Sequence, residues 1–421
     1  TVKRLIDTSM KLEGLPRQTG THAAGVVICR NAASEYVPLA RSADGDGLVS
    51  QYNMTLVEEL GLLKMDFLGL RTLTVIHDAV KFIENTTGRH IDVDAIDYND
   101  PKVLASIGTG RTEGVLQLES AGMKSFMKEL RPQNLEDVVA GISLYRPGPM
   151  DFIPKYIQGK NHPDAVTYAC PQLEPILKPT YGCIVYQEQV MQIVRDLAGY
   201  SWGRSDLVRR AMSKKKAYVM EQERKNFIYG NPDEGVKGCV NNGIDEKVAG
   251  KIYDDMIDFA KYAFNKSHAA CYAVVSFQTA YLKTYYPVEF MAALMTSVID
   301  NTSKVAGYIY ACKQMNIGIL PPDVNESQME FTVENGKIRF AMAAIKSRGR
   351  PTIQAILKER GENGSFISMQ DFVTRMSHAL NKRAIENFVK AGAFDTFGHT
   401  RKSMMIVSES MLDSAITVSY T

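Results

Sequence analysis

The stretch GLLKMDFLGLR, Gly61 to Arg71, sets an aspartate inside an apolar run, two residues after a lysine. A carboxylate buried there without a partner carries a large desolvation cost, so Asp66 has to be paired, hydrogen-bonded or metal-bound. Leu63, Met65 and Phe67 alternate with Lys64, Asp66 and Leu68, which predicts a strand with Lys64 and Asp66 on one face. An acid and a cation so placed can hold a metal ion and a phosphate. They can equally form an ordinary salt bridge at a sheet edge, and the stretch by itself leaves both readings open.

Outward from this stretch, the first 75 or so residues read as mixed α/β. LIDTSMKLEGL predicts a short helix ending near Gly14, and the β-branched run AAGVVICR predicts a buried strand. From Thr72 to Ser297 the periodicity is helical, broken by RTEGVLQLES, SLYRPGPM and ILKPTYGC. NIGILPPDVN reads as a linker into a third region, where MAAIKSRGRPTIQAILKERG and LNKRAIENFVKAGAFDTFG are short helical units without a strict repeat.

With 421 residues, 45% apolar and 23% charged, the chain has the composition of a globular protein of several domains. No apolar run reaches the roughly 20 residues of a membrane span. Thr1 in place of Met, without a signal-like N-terminus, suggests a piece of a longer protein. The six cysteines lack C-x-x-C spacing, which argues against structural zinc and for reduced thiols. A net charge of +2 is neutral on nucleic acid, so the placement of the charges matters more than their sum.

Three stretches concentrate basic residues. In WGRSDLVRRAMSKKK, Ser205 reads as an N-cap with Asp206 in the first turn, and Val208 and Met212 face a core. Arg210 and Lys214 share another face, and Arg209 and Lys216 lie two turns apart. Like charges so spaced cost a few tenths of a kcal/mol each, which phosphates would offset; a solvated helix end is the plainer alternative. In FAKYAFNKSHAACYAVVSFQTAYLKTYYPVEF, Asn265 or Ser267 can cap a helix, leaving Lys266 and His268 at an N-terminus suited to anions. Tyr272, Val275, Thr279, Leu282 and Tyr286 form one largely apolar face, and Pro287 ends or kinks the helix. IKSRGRPTIQAILKER reads as a hairpin between helices with Gly349 at the bend, where backbone N–H groups can grip a phosphate.

Taken in order, nine stretches resemble successive blocks of one family. They are GLPRQTGTHAAGVVI, GLLKMDFLGLRTLTVI, EGVLQLESAGM, SLYRPGPM, YGCIVYQEQVMQI, GRSDLVRRAMSKKK, FAKYAFNKSHAACYAVVSFQTAYLKTYYPVEFMAALM, LPPDVNES and LNKRAIENFVKAGAFDTFG. The family is that of the bacterial DNA polymerase III alpha subunits, the C-family replicative polymerases, and the resemblance covers nearly the whole chain. It implies a mainly α fold with a small α/β part. The end of a palm with a mixed sheet would occupy 1–75, a large helical fingers domain 76–311, and the start of a clamp-binding domain with tandem helix-hairpin-helix units 312–421.

The resemblance also implies chemistry. Asp66 matches the third of three catalytic palm aspartates that hold two magnesium ions, a geometry that stabilises attacking and leaving oxygens in phosphoryl transfer. Lys64, Arg209, Arg210, Lys214 and Lys216 are then expected on triphosphate or strand phosphates. Asn265, Lys266, Ser267, His268 and Tyr272 would line the pocket of the nascent base pair. Arg71, Arg146, Arg348, Gly349 and Arg350 are expected on DNA, although Arg146 and Gln187 can also be structural. The implied partners are primer–template DNA, deoxynucleoside triphosphates, the sliding clamp and other replicase subunits, in a bacterial cytoplasm at the nucleoid, with no membrane. Arginines flanking Gly349 depart from the small residue usual before that glycine. The other two aspartates lie upstream in this family, so the chain alone is expected to be inactive. A non-catalytic helical nucleic-acid-binding module is the alternative. A metal-dependent nuclease would need a His/Asp cluster that the seven histidines do not form.

Overall fold

The computed structural model describes residues 2–15, 20–22, 24–42, 47–213, 217–260, 262–345 and 349–419. The fold is mainly α, with small sheets, and divides into two compact units, 1–70 and 71–421.

In the first unit, the predicted N-terminal helix is Val2–Leu12, and Gly14 follows in the left-handed region (φ 79°). Strand Gly25–Ile28 pairs antiparallel with Leu63–Asp66, and Leu39–Arg41 with Leu48–Ser50. Asn53 caps the intervening helix Met54–Glu59, its Oδ1 accepting the Leu56 N–H at 3.1 Å. The strand in AAGVVICR forms as expected but is not buried, with Val26 50% and Ile28 45% exposed. A two-stranded ladder cannot cover both of its own faces, and β-branched composition alone does not report what covers a strand.

In the second unit, three or four helices surround each of several cores. Val75, Ile76, Ala79 and Ile83 of helix Arg71–Thr87 pack with helices Pro287–Ser297 and Thr302–Gln314. Helices Pro101–Gly108, Ala121–Leu130 and Leu135–Leu144 pack around Lys266–Tyr285. Val208 and Met212 of helix Trp202–Ser213 enter a core with Gln187–Ala198, Ala217–Tyr229 and Glu246–Ala260, as their spacing predicts. Helices Arg350–Asn363, Met369–Met376, Lys382–Ala391 and Arg401–Ser419 share a separate core that includes Phe366, Phe372, Phe388 and Phe394.

Helix Lys266–Tyr285 departs from the single apolar face expected of it. Ser276, Phe277, Gln278, Thr279 and Ala280 are consecutive and all buried, so its middle is enclosed on every side. The polar members are satisfied: Ser276 donates to Leu116 O (2.8 Å), and Thr279 Oγ1 accepts the Leu116 N–H (3.3 Å). Pro287 does end this helix, and occupies the first turn of the next.

NIGILPPDVN is not a plain linker. Ile319–Leu320 pairs parallel with Lys337–Arg339, which pairs antiparallel with Thr332–Glu334. Asn335 (φ 50°) and Gly336 (φ 72°) form the connecting turn, where two left-handed residues match the twist of a tight hairpin. Among the described residues ahead of Gly349, Met342–Ala344 forms a short 3₁₀ turn.

At the far end of the buried helix, Lys283 Nζ donates to Arg111 O (2.7 Å), Glu113 O (2.8 Å) and Glu113 Oε2 (3.2 Å), while Lys124 reaches Glu113 Oε1 at 2.7 Å. Burial would raise the Glu113 carboxyl, but the Lys124 hydrogen bond and the Lys283 charge outweigh it and hold the pKa at about 2. Burial lowers the Lys283 amine despite the same carboxylate. A depressed carboxyl stabilises the fold above its unfolded pKa and loses that contribution as pH falls from about 4.5 toward about 2. Glu113→Gln is therefore expected to cost about 1–2 kcal/mol at pH 7 after allowing for solvent screening. The difference from the parent, read from urea midpoints, should shrink toward zero by about pH 2.

Candidate functional site

The carboxylate that opened the sequence reading stands at the end of a ladder. Asp66 lies opposite Gly25, and its side chain is 43% exposed. Lys64 Nζ lies 3.1 Å from Asp66 Oδ1, so the two share a face as the alternation predicts. Gly25 makes this approach possible, since a Cβ there would stand 2.6 Å from Lys64 Cε and 3.1 Å from Asp66 Oδ1. His22 completes the group with Nδ1 3.9 Å from Asp66 Oδ1. That nitrogen also accepts the Ala24 N–H at 3.1 Å. Sequence reasoning passed over His22, although its position just ahead of the strand that faces Asp66 was the available signal.

Asp66 is a hard oxygen ligand of the kind magnesium prefers. It stands alone in that role: no group of three or more His, Cys, Asp or Glu able to hold a metal ion exists among the described residues. The residues present therefore fit a magnesium site in kind but not in number.

In the second unit, residues 262–268 are held by side chains and backbone from blocks far apart in sequence. Phe264 N–H donates to Val185 O (3.1 Å), and Gln187 N–H donates to Phe264 O (2.9 Å). Gln187 Nε2 donates to Ala263 O (3.1 Å), while its Oε1 accepts from Arg209 Nη1 (3.1 Å). Arg146 Nη2 donates to Tyr262 O (2.8 Å), and its guanidinium lies 4.1 Å from the Phe264 ring centroid. Burial pulls the Arg146 pKa below the ordinary guanidinium value. Arg146 and Gln187 thus hold backbone, which gives both the structural role their blocks left open.

Arg209 and Arg210 share one acid. Arg209 donates to Asp206 Oδ1 (2.6 and 2.9 Å), and Arg210 Nε lies 2.7 Å from Oδ2. The Arg209 hydrogen bonds hold the Asp206 carboxyl below its usual range. Ser205 is not the cap expected of it: the helix starts at Trp202, Ser201 Oγ accepts the Arg204 N–H (3.2 Å), and buried Ser205 donates to Ser201 O (2.8 Å). Lys214, Lys216 and Arg348 lie outside the described residues.

Asn265 caps helix Lys266–Tyr285 as expected, its Oδ1 accepting the His268 N–H at 2.8 Å. The anion expected at that terminus is supplied from within the chain. Glu188 accepts the Lys266 N–H with both oxygens (3.0 and 3.1 Å) and the Asn265 side-chain amide at 2.9 Å. Because Glu188 also lies in the first turn of its own helix, one carboxylate serves two helix N-termini. Lys266 Nζ turns to Glu136 at 3.0 Å. Glu188 was legible in YQEQ only as a charge, because nothing local tells which distant terminus it reaches. Ser267 and His268 are exposed, and the His268 ring lies between Phe264 (5.3 Å) and half-buried Tyr272 (4.6 Å), forming a column of flat groups.

Arg71 is exposed at the start of its helix. Gly349 precedes helix Arg350–Asn363 with φ −72°, so glycine is not required there by backbone angle, and Arg350 lies 3.7 Å from Asp300.

Comparison with known proteins bears on both units. Residues 1–69 match the model of the bacterial DNA polymerase III alpha NTPase domain, 72–235 that of the bacterial DNA polymerase III alpha subunit finger domain, and 316–404 a helix-hairpin-helix motif. The DNA polymerase III subunit alpha of Thermus aquaticus is 46% identical over 403 residues, 94% of this chain and 32% of that protein. The chain belongs to the bacterial DNA polymerase III alpha subunit family. The Bacillus subtilis protein of the same name is 43% identical over 98% of this chain and 36% of its own length. For the Chlamydia pneumoniae protein the figures are 43%, 98% and 33%. The chain thus spans about a third of the length of these relatives.

Replacing Glu188 leaves the half-buried Lys266 N–H and the exposed Asn265 amide without this acceptor, so Glu188→Ala should destabilise the second unit by about 1 kcal/mol. It should also let sulfate rescue the variant's melting temperature by several degrees while leaving the parent unmoved. Differential scanning fluorimetry with and without sulfate, against chloride at equal ionic strength, reads both effects.

Proposed function

We propose that this chain is a segment of the catalytic subunit of a bacterial replicative DNA polymerase, adding deoxynucleotides to a primer 3′ end under template direction. The observation that carries this is identity above 40% to alpha subunits over nearly the whole chain, with half-exposed Asp66 kept beside Lys64. On this reading 1–75 ends the palm, 76–311 forms the fingers, and 312–421 begins the clamp-binding domain.

Asp66 contributes one carboxylate to a magnesium site whose remaining ligands are not among the described residues. When bound there, magnesium supplies charge stabilisation at the reacting phosphoryl oxygens. Lys64 orients a phosphate of the primer end or nucleotide beside Asp66. Arg209 and Arg210, with Lys214 and Lys216, take triphosphate or template phosphates, and their shared Asp206 holds the two guanidiniums in place meanwhile. The exposed His268 and the half-buried Tyr272 offer flat faces to a base pair, with Asn265, Lys266 and Ser267 alongside. Arg71, Arg146, Arg348, Gly349 and Arg350 are assigned to DNA. Arg146 acts there through the segment it holds, since its guanidinium is already engaged. Primer–template DNA, nucleotides, the sliding clamp and other replicase subunits are the partners, in the cytoplasm at the nucleoid. No described helix is long and apolar enough to cross a membrane.

A non-catalytic nucleic-acid-binding module is the second reading, favoured by the helix-hairpin-helix match and by the single carboxylate. Both readings expect salt-dependent DNA binding. The 421-residue chain alone is expected to show no primer extension. In the full-length polymerase, Asp66→Asn should lower extension by at least about a thousandfold, of the order seen when a main electrostatic contribution is lost. Affinity for primer–template should stay within about twofold. Retained extension removes Asp66 from the chemistry and leaves the binding-module reading.

A further inference from the structure

A cavity of about 450 Å³ opens between helix Ile153–Asn161, the segment 162–170, and helices Gln187–Ala198 and Glu246–Ala260. None of the residues assigned above to nucleotide, metal or DNA lines it. Its floor is made by Leu173, Leu177, Ile184, Ile193 and Ile252, all buried in the core behind. Interiors are close-packed, and an apolar floor open to water forfeits contacts that collapse would recover. The surrounding elements nonetheless do not collapse, and slack packing is not the reason. At Gly159 a Cβ would stand 2.8 Å from Tyr181 O, and at Gly182 one would stand 2.8 Å from Val166 Cγ1. The walls touch as closely as glycine permits and still enclose the space. Tyr181 adopts a left-handed conformation (φ 52°) immediately before Gly182 (φ 79°), a disfavoured arrangement for a residue with a Cβ. Its ring meets Tyr156 edge to face at 5.2 Å, which fixes one wall of the cavity as an aromatic surface.

The mouth is charged unevenly. Lys155 and Lys251 line it and are exposed, and neither forms an ion pair with a described acid. Asp255 is the one acidic residue among the described residues of the lining, which His162 also joins. Two cations stand against one anion above an apolar floor. A volume within the roughly 300–1,000 Å³ of small-molecule sites completes the pattern.

We propose that this cavity binds a small amphipathic organic anion, with a flat apolar body against the floor and the Tyr181 wall and a carboxylate, sulfonate or phosphate head at Lys155 and Lys251. The site shares Ile184 and Phe259 with the wall beneath Tyr262 and Ala263, the residues whose carbonyls Arg146 and Gln187 hold. An occupant therefore sits behind that segment rather than among the residues of the proposed polymerase site.

The test uses the purified 421-residue chain and 8-anilinonaphthalene-1-sulfonate as probe, titrated by fluorescence and calorimetry. The expected result is one saturable component that weakens at least tenfold in Ala169→Trp, which places an indole at the exposed rim. The Lys155→Ala/Lys251→Ala variant should weaken it at least threefold, and added salt should weaken it in the parent but little in that variant. Thr167→Trp, on the same exposed rim, serves as the second blocking variant, with melting temperature and circular dichroism checking that each variant is folded. Absence of a saturable component, or one that both blocking variants leave unchanged, overturns the site. A component blocked by tryptophan but indifferent to the lysines overturns the anionic head.

Discussion

Residues 262–265 run between helices without regular structure, and their backbone groups have to be satisfied from elsewhere in the chain. Arg146 takes Tyr262 O, Gln187 takes Ala263 O and Phe264 O, and Val185 O takes Phe264 N–H. Glu188 closes the sequence at Lys266 N–H. This requirement is what draws the SLYRPGPM, YGCIVYQEQVMQI, GRSDLVRR and FNKSH blocks to one place. It also fixes where Arg209 and the Phe264–His268–Tyr272 column stand. Gly148 belongs to the same arrangement: at φ 102°, a Cβ there would meet the Tyr262 ring at 2.4 Å. Small, planar and charged residues in these blocks therefore serve the backbone.

The first unit follows the same economy on a smaller scale. Lys64 lies across the bare backbone of Gly25 to reach Asp66, and the ladder register determines that meeting. A one-residue slip would send both side chains to the opposite face. The pairing of Gly25 with Asp66 is thus as specific a requirement as the identity of the acid itself.

Much of this was legible in the sequence where the interactions are local. The strand at Leu63–Asp66, the shared face of Lys64 and Asp66, the Asn265 cap, the Val208 and Met212 core positions and the helix end before Pro287 all follow from periodicity or capping. The ordered blocks carried the family. Non-local facts were not legible. Glu188 reaching the terminus of a helix 78 residues away, and the enclosure of Ser276–Ala280 on every side, depend on tertiary packing that no window of sequence contains. The exposure of Val26 and Ile28 is of that kind too. The Asn335–Gly336 hairpin is different, because its signal was local and strong, and a linker reading of the preceding prolines masked it.

The shared Asp206 has a consequence for whatever anion meets the basic helix. A long side chain that is immobilised only on association lowers affinity by about 0.5–1.5 kcal/mol in lost rotamers. Arg209 is already restrained by Asp206 and Gln187, and Arg210 by the other oxygen of the same acid. One carboxylate between two guanidiniums leaves a unit of positive charge unneutralised, presented by groups whose orientational entropy was surrendered during folding. An anion meeting this helix would find part of its ordering cost already met by the fold.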